Sequence, residues 1–310
     1  MKYLPRLFFI LNKYIPLNNY TMNYFKGGIQ DSFGNNIQQI GLALVYIHKI
    51  RGNFYFKNHT YINQFSVINS KFDNLLRFFK KKYRFFYFNK KETDFYKRKN
   101  YFDDTENDFP INSNEMIEYK ELIGSVLKKY VTPNLNFFKN IEIVRSTLVI
   151  HIRSGDVFLN NWENNYIQNP MAYYLTIMKD YKKIILVTSP DLSNPVIPKL
   201  LKLKNVTLHA TTVTEDFNLL LNAPNLASSG VGTYSIAAAL LSNKLEKFYC
   251  STIYLDEHLN PDMIDSKKVA ITKYEISNYF NFGEFRNSDE SIQKIMNENF
   301  NSIKLVENNE

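Results

Sequence analysis

The chain has almost no cysteine. Cys250 is the single one in 310 residues, so no intrachain disulfide can form and a disulfide-stapled secreted scaffold is excluded. With one cysteine and five scattered histidines, a structural zinc site is excluded as well. No Walker A loop, C-x-x-C pair, H-E-x-x-H helix or Asp-x-Asp metal motif occurs, which removes the commonest sequence signals of nucleotide hydrolysis, thiol redox work and metal-assisted catalysis. Long apolar runs are missing too. The best of them, such as Leu7 to Leu11, fall far short of the roughly 20 residues a spanning helix needs. The start, with Met1, Lys2 and Arg6 before that short run, lacks the pattern of a signal peptide. The expected location is therefore the cytoplasm. No internal repeat is visible.

What is present is ordinary globular material, 45% apolar and 22% charged, and the length suits about two domains at roughly 150 residues each. The net charge of +8 is concentrated in one place. Between Arg77 and Lys99 ten Lys or Arg face only Glu92 and Asp94, so this segment alone carries +8 and the rest of the chain sums to zero. Nine Phe or Tyr interleave with those charges, a composition that suits an anionic membrane surface or single-stranded nucleic acid. A solvated basic edge over an aromatic core face is the plainer account, since a charge run is usually solvent-facing. No recognised nucleic-acid module accompanies the segment, so a nucleic-acid partner is not expected.

The second half has a regular rhythm. Strands are predicted at Leu148 to Ile152, Ile184 to Val187, Val206 to His209, Asn225 to Ser228 and Lys247 to Cys250. Helices are predicted between them at Met171 to Lys179, Pro195 to Leu203, Glu215 to Asn222 and Thr233 to Ser242. Short β-branched runs alternating with helical patterns predict a parallel α/β sheet wound in the Rossmann manner, with ligands beyond the carboxyl ends of its strands. The first half offers helices at Gly34 to Ile50 and Met116 to Tyr130, and an Asp-rich surface loop at Asp103 to Asn114. We place a boundary near residue 140, giving an N-terminal domain over 1–140 and a Rossmann-like domain over 141–285. A C-terminal amphipathic helix, Ser288 to Leu305, is expected within 286–310.

The most informative string is Leu148-Val149-Ile150-His151-Ile152-Arg153-Ser154-Gly155-Asp156. A strand delivers His151 and, two residues on along the same face, Arg153, and then turns at Gly155-Asp156. A guanidinium at a strand's carboxyl end suits phosphate, because its planar fork donates two parallel hydrogen bonds to phosphate oxygens. His151 adds a donor or holds an acceptor, and Asp156 orients the pair or caps the next segment of chain.

This string resembles the His-x-Arg-x-Gly-Asp motif of the fucosyltransferase superfamily that includes the alpha-1,2-fucosyltransferases and the protein O-fucosyltransferases. Two more stretches are similar to the same superfamily, in the same order. Ser32-Phe33-Gly34-Asn35-Asn36-Ile37-Gln38-Gln39 resembles its Gly-Asn-Gln-x-x-Gln helix start, with Asn36 where Gln is usual. Asp216-Phe217-Asn218-Leu219, running on to Gly230-Val231-Gly232-Thr233-Tyr234-Ser235, resembles the block in which an Asp reads guanine and a hydroxyl-rich turn meets the nucleotide phosphates. Ser154 stands where many members carry a second arginine, and Gly230 and Gly232 suggest a looser turn than the family's usual one.

The resemblance implies a GT-B-like arrangement, two Rossmann-like domains facing across a cleft, with the glycan acceptor held mainly by the first. It implies metal-independent, inverting transfer of fucose from GDP-fucose to a glycan hydroxyl, with no cofactor. Arg153, helped by the helix start at Thr233, would neutralise the departing diphosphate, and Gly34, Asn35, His151, Asp216, Thr233, Tyr234 and Ser235 would bind the donor. A carboxylate accepts only, so Asp216 would select the adjacent N1–H and N2–H2 donors of guanine over uracil or adenine. A helix N-cap is the plainer role for Asp216. Glu163 is the candidate general base, with Asp156 and Asp31 behind it. A peripheral membrane contact through residues 77–99 completes the expectation.

Overall fold

The computed structural model describes residues 22–25, 33–49, 53–56, 60–67, 117–159, 165–256 and 258–306. The basic-aromatic segment, the Asp-rich loop, Asp31 and Glu163 lie outside the described residues.

Seven strands form the main sheet: β4 (Thr147–His151), β5 (Lys183–Val187), β6 (Val206–His209), β7 (Asn225–Ala227), β8 (Lys247–Ser251), β9 (Ala270–Ile276) and β10 (Ile303–Leu305). Their spatial order is β10-β9-β8-β7-β4-β5-β6. All pairs are parallel except β9–β10. Counting from β4, the six parallel strands run 3-2-1-4-5-6, the doubly wound order whose direction reverses between the first and fourth strands. The expected α/β class and parallel sheet are both present. Three earlier strands, β1 (Met22–Phe25), β2 (Asn53–Phe56) and β3 (Phe65–Val67), make a separate mixed sheet, parallel at β1–β2 and antiparallel at β2–β3.

The described helices are α1 (Phe33–Lys49), α2 (Lys120–Val126), α3 (Asp156–Leu159), α4 (Met171–Met178), α5 (Val196–Leu200), α6 (Val213–Leu221), α7 (Tyr234–Leu241) and α8 (Asp289–Ile295). The sheet is buried on both faces, so its inner strands read as unbroken apolar runs. Leu148, Ile150 and Leu186 pack with α4, α5 and α8 on one side, and Val149, Val187 and Phe248 pack with α6 and α7 on the other. The second cluster continues across residue 140: Phe33, Ile37 and Ile40 of α1 and Ile123, Leu127 and Val131 belong to it. The Phe33 ring meets the Phe217 ring edge-on at 4.6 Å.

Two expected elements differ. The Met116 to Tyr130 helix is α-helical only to Val126 and then widens into a π-helical turn, Leu127–Val131, which buries both Leu127 and Val131. The C-terminal amphipathic helix over 288–305 is corrected: α8 ends at Ile295, and the chain returns as β10 on the edge of β9. Asn299 bonds the Asn301 amide to start a short 3-10 turn, and the apolar positions beyond it alternate with period two, Ile303 pairing with Ile276. Strand β9, with Lys273 and Glu275 among its residues, is an element the apolar-run reading misses. Among the described residues, no helix is long and apolar enough to cross a membrane.

Candidate functional site

At a doubly wound sheet's reversal point the loops leaving the two neighbouring strands diverge and open a crevice at their carboxyl ends. Here those strands are β4 and β7. Arg153 lies just past β4, where the Ile152 amide still bonds the Val187 carbonyl. The Asn194 side-chain amide donates to the Arg153 carbonyl at 2.9 Å, fixing the backbone. The guanidinium lies over the Tyr166 ring, 4.2 Å from its centroid, and Nη2 donates to Asp156 Oδ2 at 2.9 Å. Its Nε and Nη1 have no hydrogen-bond partner among the described residues, and a quarter of the side chain is exposed. A cation held on one side by a carboxylate and on one face by a ring still has donors to offer an anion.

Asp156 reaches in two directions. One oxygen holds Arg153 and the other accepts the Val157 amide at the start of α3. The preceding turn is built for this. Gly155 has φ +78°, and a Cβ there would meet Asp191. Its amide donates to Asp191 Oδ1 and Ser193 Oγ, each at 2.8 Å, while Ser154 Oγ donates to Asp191 at 2.9 Å. Ser154, where a second arginine was expected in the family pattern, thus ties the loop after β4 to the loop after β5. Burial alone would raise the pKa of Asp191; hydrogen bonds from Ser189, Ser193 and Ser154 outweigh it and hold the carboxyl well below its usual range.

Two imidazoles flank the arginine. His151 closes β4, half-buried, with its ring 5.1 Å from that of Tyr234. Burial and then the charge of Arg153 bring its pKa down to about 3. His258, in the loop after β8, is buried with its ring 6.1 Å from that of Tyr166, and the same two causes lower its pKa to about 4. Both rings are therefore neutral near pH 7, leaving Arg153 as the cation between them.

The loop after β7 brings the third block. Gly230 has φ +111°, and a Cβ there would lie 2.5 Å from the Ile167 carbonyl. The neighbouring strand segment pins the turn: the Val231 amide bonds Ile167, the Asn169 amide bonds Ser229, and the Asn169 side chain donates to Ser228. The looser turn expected from Gly230 and Gly232 is corrected, since glycine here permits close packing. Gly232 leaves space next to the guanidinium, where a Cβ would be 3.9 Å from Nη1.

Thr233 then starts α7, but its side chain makes no capping bond. Its hydroxyl instead donates to Asn35 Oδ1 at 2.8 Å, across 198 residues of sequence. Gly34 is what allows the approach, because a Cβ there would stand 2.4 Å from Thr233 Oγ1. The first helix turns of α1 and α7 are thus in direct contact, and Ser235 is buried in the first turn of α7. The ring of Tyr234 lies between His151 and Phe217, and its hydroxyl donates to the Val213 carbonyl.

Asp216 is not the cap of its helix. Thr212 caps α6 by accepting the Glu215 amide, which leaves the Asp216 side chain free for the loop before it. Asp216 Oδ1 accepts from the Thr211 amide and hydroxyl and lies 3.4 Å from His209 Nε2. Burial raises its pKa in spite of these bonds. Its Oδ2 has no hydrogen-bond partner among the described residues.

The structure therefore brings together Gly34, Asn35, His151, Arg153, Asp156, Thr233 and Tyr234, with Asp216 at the head of the adjoining helix. The residues missed in the sequence are Tyr166, Asp191, Asn194 and His258. Asp191 comes after the Ser189-Pro190 break that closes the second strand, a loop signal at the edge where ligands gather; the other three carry no local pattern. No protein-family model, curated protein or solved structure matches the chain.

Proposed function

We propose that the chain is a glycosyltransferase that moves a sugar, fucose on the motif resemblance, from a GDP-linked donor to a glycan hydroxyl. The observation that carries this reading is the meeting of three blocks far apart in sequence. Gly34-Asn35, Arg153 and Gly232-Thr233 join at the sheet's reversal point, around a guanidinium with unpaired donors.

The acceptor oxygen attacks the anomeric carbon as the bond from that carbon to the diphosphate oxygen breaks, which inverts the centre. GDP departs with the bonding pair. Arg153 Nε and Nη1 take up the charge growing on the diphosphate, assisted by the amide end of α7. Asp156 and Tyr166 hold the guanidinium in place, so it needs no reorganisation as charge develops. Asp216 Oδ2 accepts from guanine N1–H and N2–H2, and Gly34 and Asn35 wall the donor from the side of the first half. Asp156 is occupied by Arg153, so Glu163 is the residue we assign to accept the hydroxyl proton. No divalent metal is needed in this scheme. A GT-B-like pairing of two Rossmann-like domains, a cytoplasmic location and a peripheral membrane contact through residues 77–99 belong to the same reading.

Calorimetric titration with GDP and UDP, then a panel of nucleotide sugars assayed for nucleotide release, tests it. We expect GDP to bind and UDP to bind far more weakly. Glu163→Gln should retain GDP affinity and lose turnover. Equal affinity for the two nucleotides, or release from UDP-sugars alone, would rule the reading out.

A further inference from the structure

The opposite, amino edge of the sheet carries a second concentration of positive charge. Here the π-helical turn after α2, the C-terminus of α7 and the loop leading into β9 border an open cavity of about 460 Å³, lined by half-buried Lys128 and by exposed Lys129, Lys268, Ser125 and Asn243. A π turn is rare and recurs at functional positions. In this one, Leu127 and Val131 are fully buried, and the widened turn between those anchors carries the two lysines.

The charge of this cavity is unbalanced. Lys268 pairs with Asp265 at 3.3 Å, and Glu121 is engaged by Lys267. Lys128 is half-buried and, among the described residues, makes no hydrogen bond and has no carboxylate within 4 Å of its ammonium; Asp265, paired with Lys268, acts on it from further off. Lys129 reaches over the Tyr130 ring and meets no carboxylate there. Burial first, and the like charge of Lys268 second, lower the pKa of Lys128, and Asp265 offsets only part of this. An ammonium partly taken out of water beside another cation, with the nearest carboxylate already paired, gains when an anion joins it.

We propose that this amino-edge cavity is a binding site for a phosphomonoester, independent of the donor site at the carboxyl edge. Three ammonium groups less the Asp265 carboxylate leave +2, and a phosphomonoester at neutral pH carries about −1.5 to −2. A lone carboxylate ligand would leave half of that charge unmatched. The volume lies within the roughly 300–1,000 Å³ of small-molecule sites, so it accommodates more than the phosphate group. Ser125 and Asn243 sit on the rim to bond the remaining oxygens, whereas the nearby Ser242 hydroxyl is already engaged with Leu221, Lys244 and Leu245. The phosphate can belong to a free metabolite or to a lipid headgroup; the chemistry recognised is the same.

The test uses the full chain carrying Arg153→Ala, which removes the carboxyl-edge anion site from the measurement. Inorganic phosphate is titrated while the amide resonances of Ser125, Lys129 and Asn243 are tracked, and vesicles of phosphatidylcholine with phosphatidic acid, or with phosphatidylserine, are tested in parallel. We expect saturable shifts at those amides, weakened at least tenfold by Lys128→Gln or Lys129→Gln. Lys202→Gln, the same charge change at an exposed position elsewhere, should leave them unchanged. Binding to phosphatidic acid vesicles that free phosphate displaces identifies a lipid source, and phosphate binding without vesicle binding identifies a free ligand. No shift at these amides, or shifts untouched by both lysine substitutions, would overturn the proposal. Misfolding does not mask the result, because removing an unpaired, half-buried ammonium should keep or raise the melting temperature, which is read alongside.

Discussion

The two edges of the seven-stranded sheet are built by different means. At the amino edge, the chain enters β4 and β6 through ordinary backbone turns, in which Thr147 bonds Val144 and Val206 bonds Leu203. Asn225 donates to Arg145 and Thr147, Asn222 bonds Lys139 and Ile141, and Ser242 bonds Leu221, Lys244 and Leu245, so neutral side chains tie this edge to nearby backbone. At the carboxyl edge, side chains tie the loops to one another. Asp191 joins the loops after β4 and β5. Asn169 links Ser228 after β7 to the Ser251 hydroxyl at the end of β8. What separates the edges is the backbone: among the described residues, the positions with positive φ, Gly155, Leu192, Gly230, Asn278 and Gly283, all lie in loops that leave strands at the carboxyl edge. Turns that demand this conformation, gathered on one edge and tied loop to loop, mark the edge where geometry matters most.

Glycine substitutions expose this difference most sharply. Gly230→Ala puts a Cβ 2.5 Å from the Ile167 carbonyl at a φ of +111°, combining backbone strain with a steric clash, and should cost about 3 to 5 kcal/mol. Gly124, in α2 on the amino side, has nothing within 4 Å of its would-be Cβ. Gly124→Ala should stabilise the protein by roughly 0.5–1 kcal/mol through helix propensity alone. Urea unfolding of the two variants checks both signs. Equal effects would mean that the carboxyl-edge loops are no more constrained than an ordinary helix.

Next in size is Arg153→Ala. Replacing a guanidinium that offers two free donors should weaken GDP binding about 100-fold, near 2.7 kcal/mol, since charge-assisted hydrogen bonds to a phosphate are among the strong ones. Global stability should change by under about 1 kcal/mol, because the side chain's one ion pair, to half-exposed Asp156, is partly solvated. Lysine at this position restores charge without the planar fork, so Arg153→Lys should recover only part of the affinity. Loss of stability without loss of binding would reverse the roles assigned to the two properties.

His258 gives a pH signature. Its pKa falls from 6.5 to about 4 on folding, so between those values the unfolded chain binds more protons and stability rises with pH. The protein should lose about 2 kcal/mol at this residue between about pH 7.5 and about pH 5. His258→Gln should remove most of that slope. His151, lowered to about 3, adds to the same limb with the same sign. Denaturant melts at the two pH values, with and without the substitution, measure it.

How much of the molecule is legible in its sequence depends on where the information resides. All five predicted strands of the second half exist within a residue or two: β4, β5, β7 and β8 lie inside the sheet and show as compact apolar runs, while the exposed edge strand β6 shows by its β-branched Val206-Thr207. Strand β9 escapes because solvent reaches much of it, and lysine and glutamate interrupt the pattern. The helix expected beyond Ile295 fails for a related reason: Ile292, Ile295 and Ile303 satisfy a helical stripe on paper, yet Asn297 and Asn299 bond their own backbone and break it. For the site, Arg153 is legible from a strand-end motif. Its setting is not, since Tyr166, Asp191 and His258 reach it only through the winding of the sheet. A cap is the role that local sequence favours for Thr233, but its Asn35 partner comes from a helix 198 residues away. Local patterns name elements and the residues at their ends; which ends meet is decided by topology.

The smallest effect tests the comparison most directly. Asp191 carries the bonds that join two carboxyl-edge loops, and its folded pKa lies below the unfolded value near 3.9. Its stabilisation is therefore present above that value and fades as the pH falls toward the folded pKa. Because the side chain is exposed to solvent, screening keeps the contribution under about 1 kcal/mol. Asp191→Asn should thus be slightly less stable than the wild type near neutrality, with the two unfolding curves converging as the pH drops below about 4. A hydrogen-exchange comparison sharpens this, since the amides of Gly155 and Ser193 bond Asp191 directly and should lose protection in the variant, while that of Thr147 at the amino edge should not. If all three respond alike, the loops open only with the whole sheet, and the Asp191 bonds give the carboxyl edge no local hold of its own.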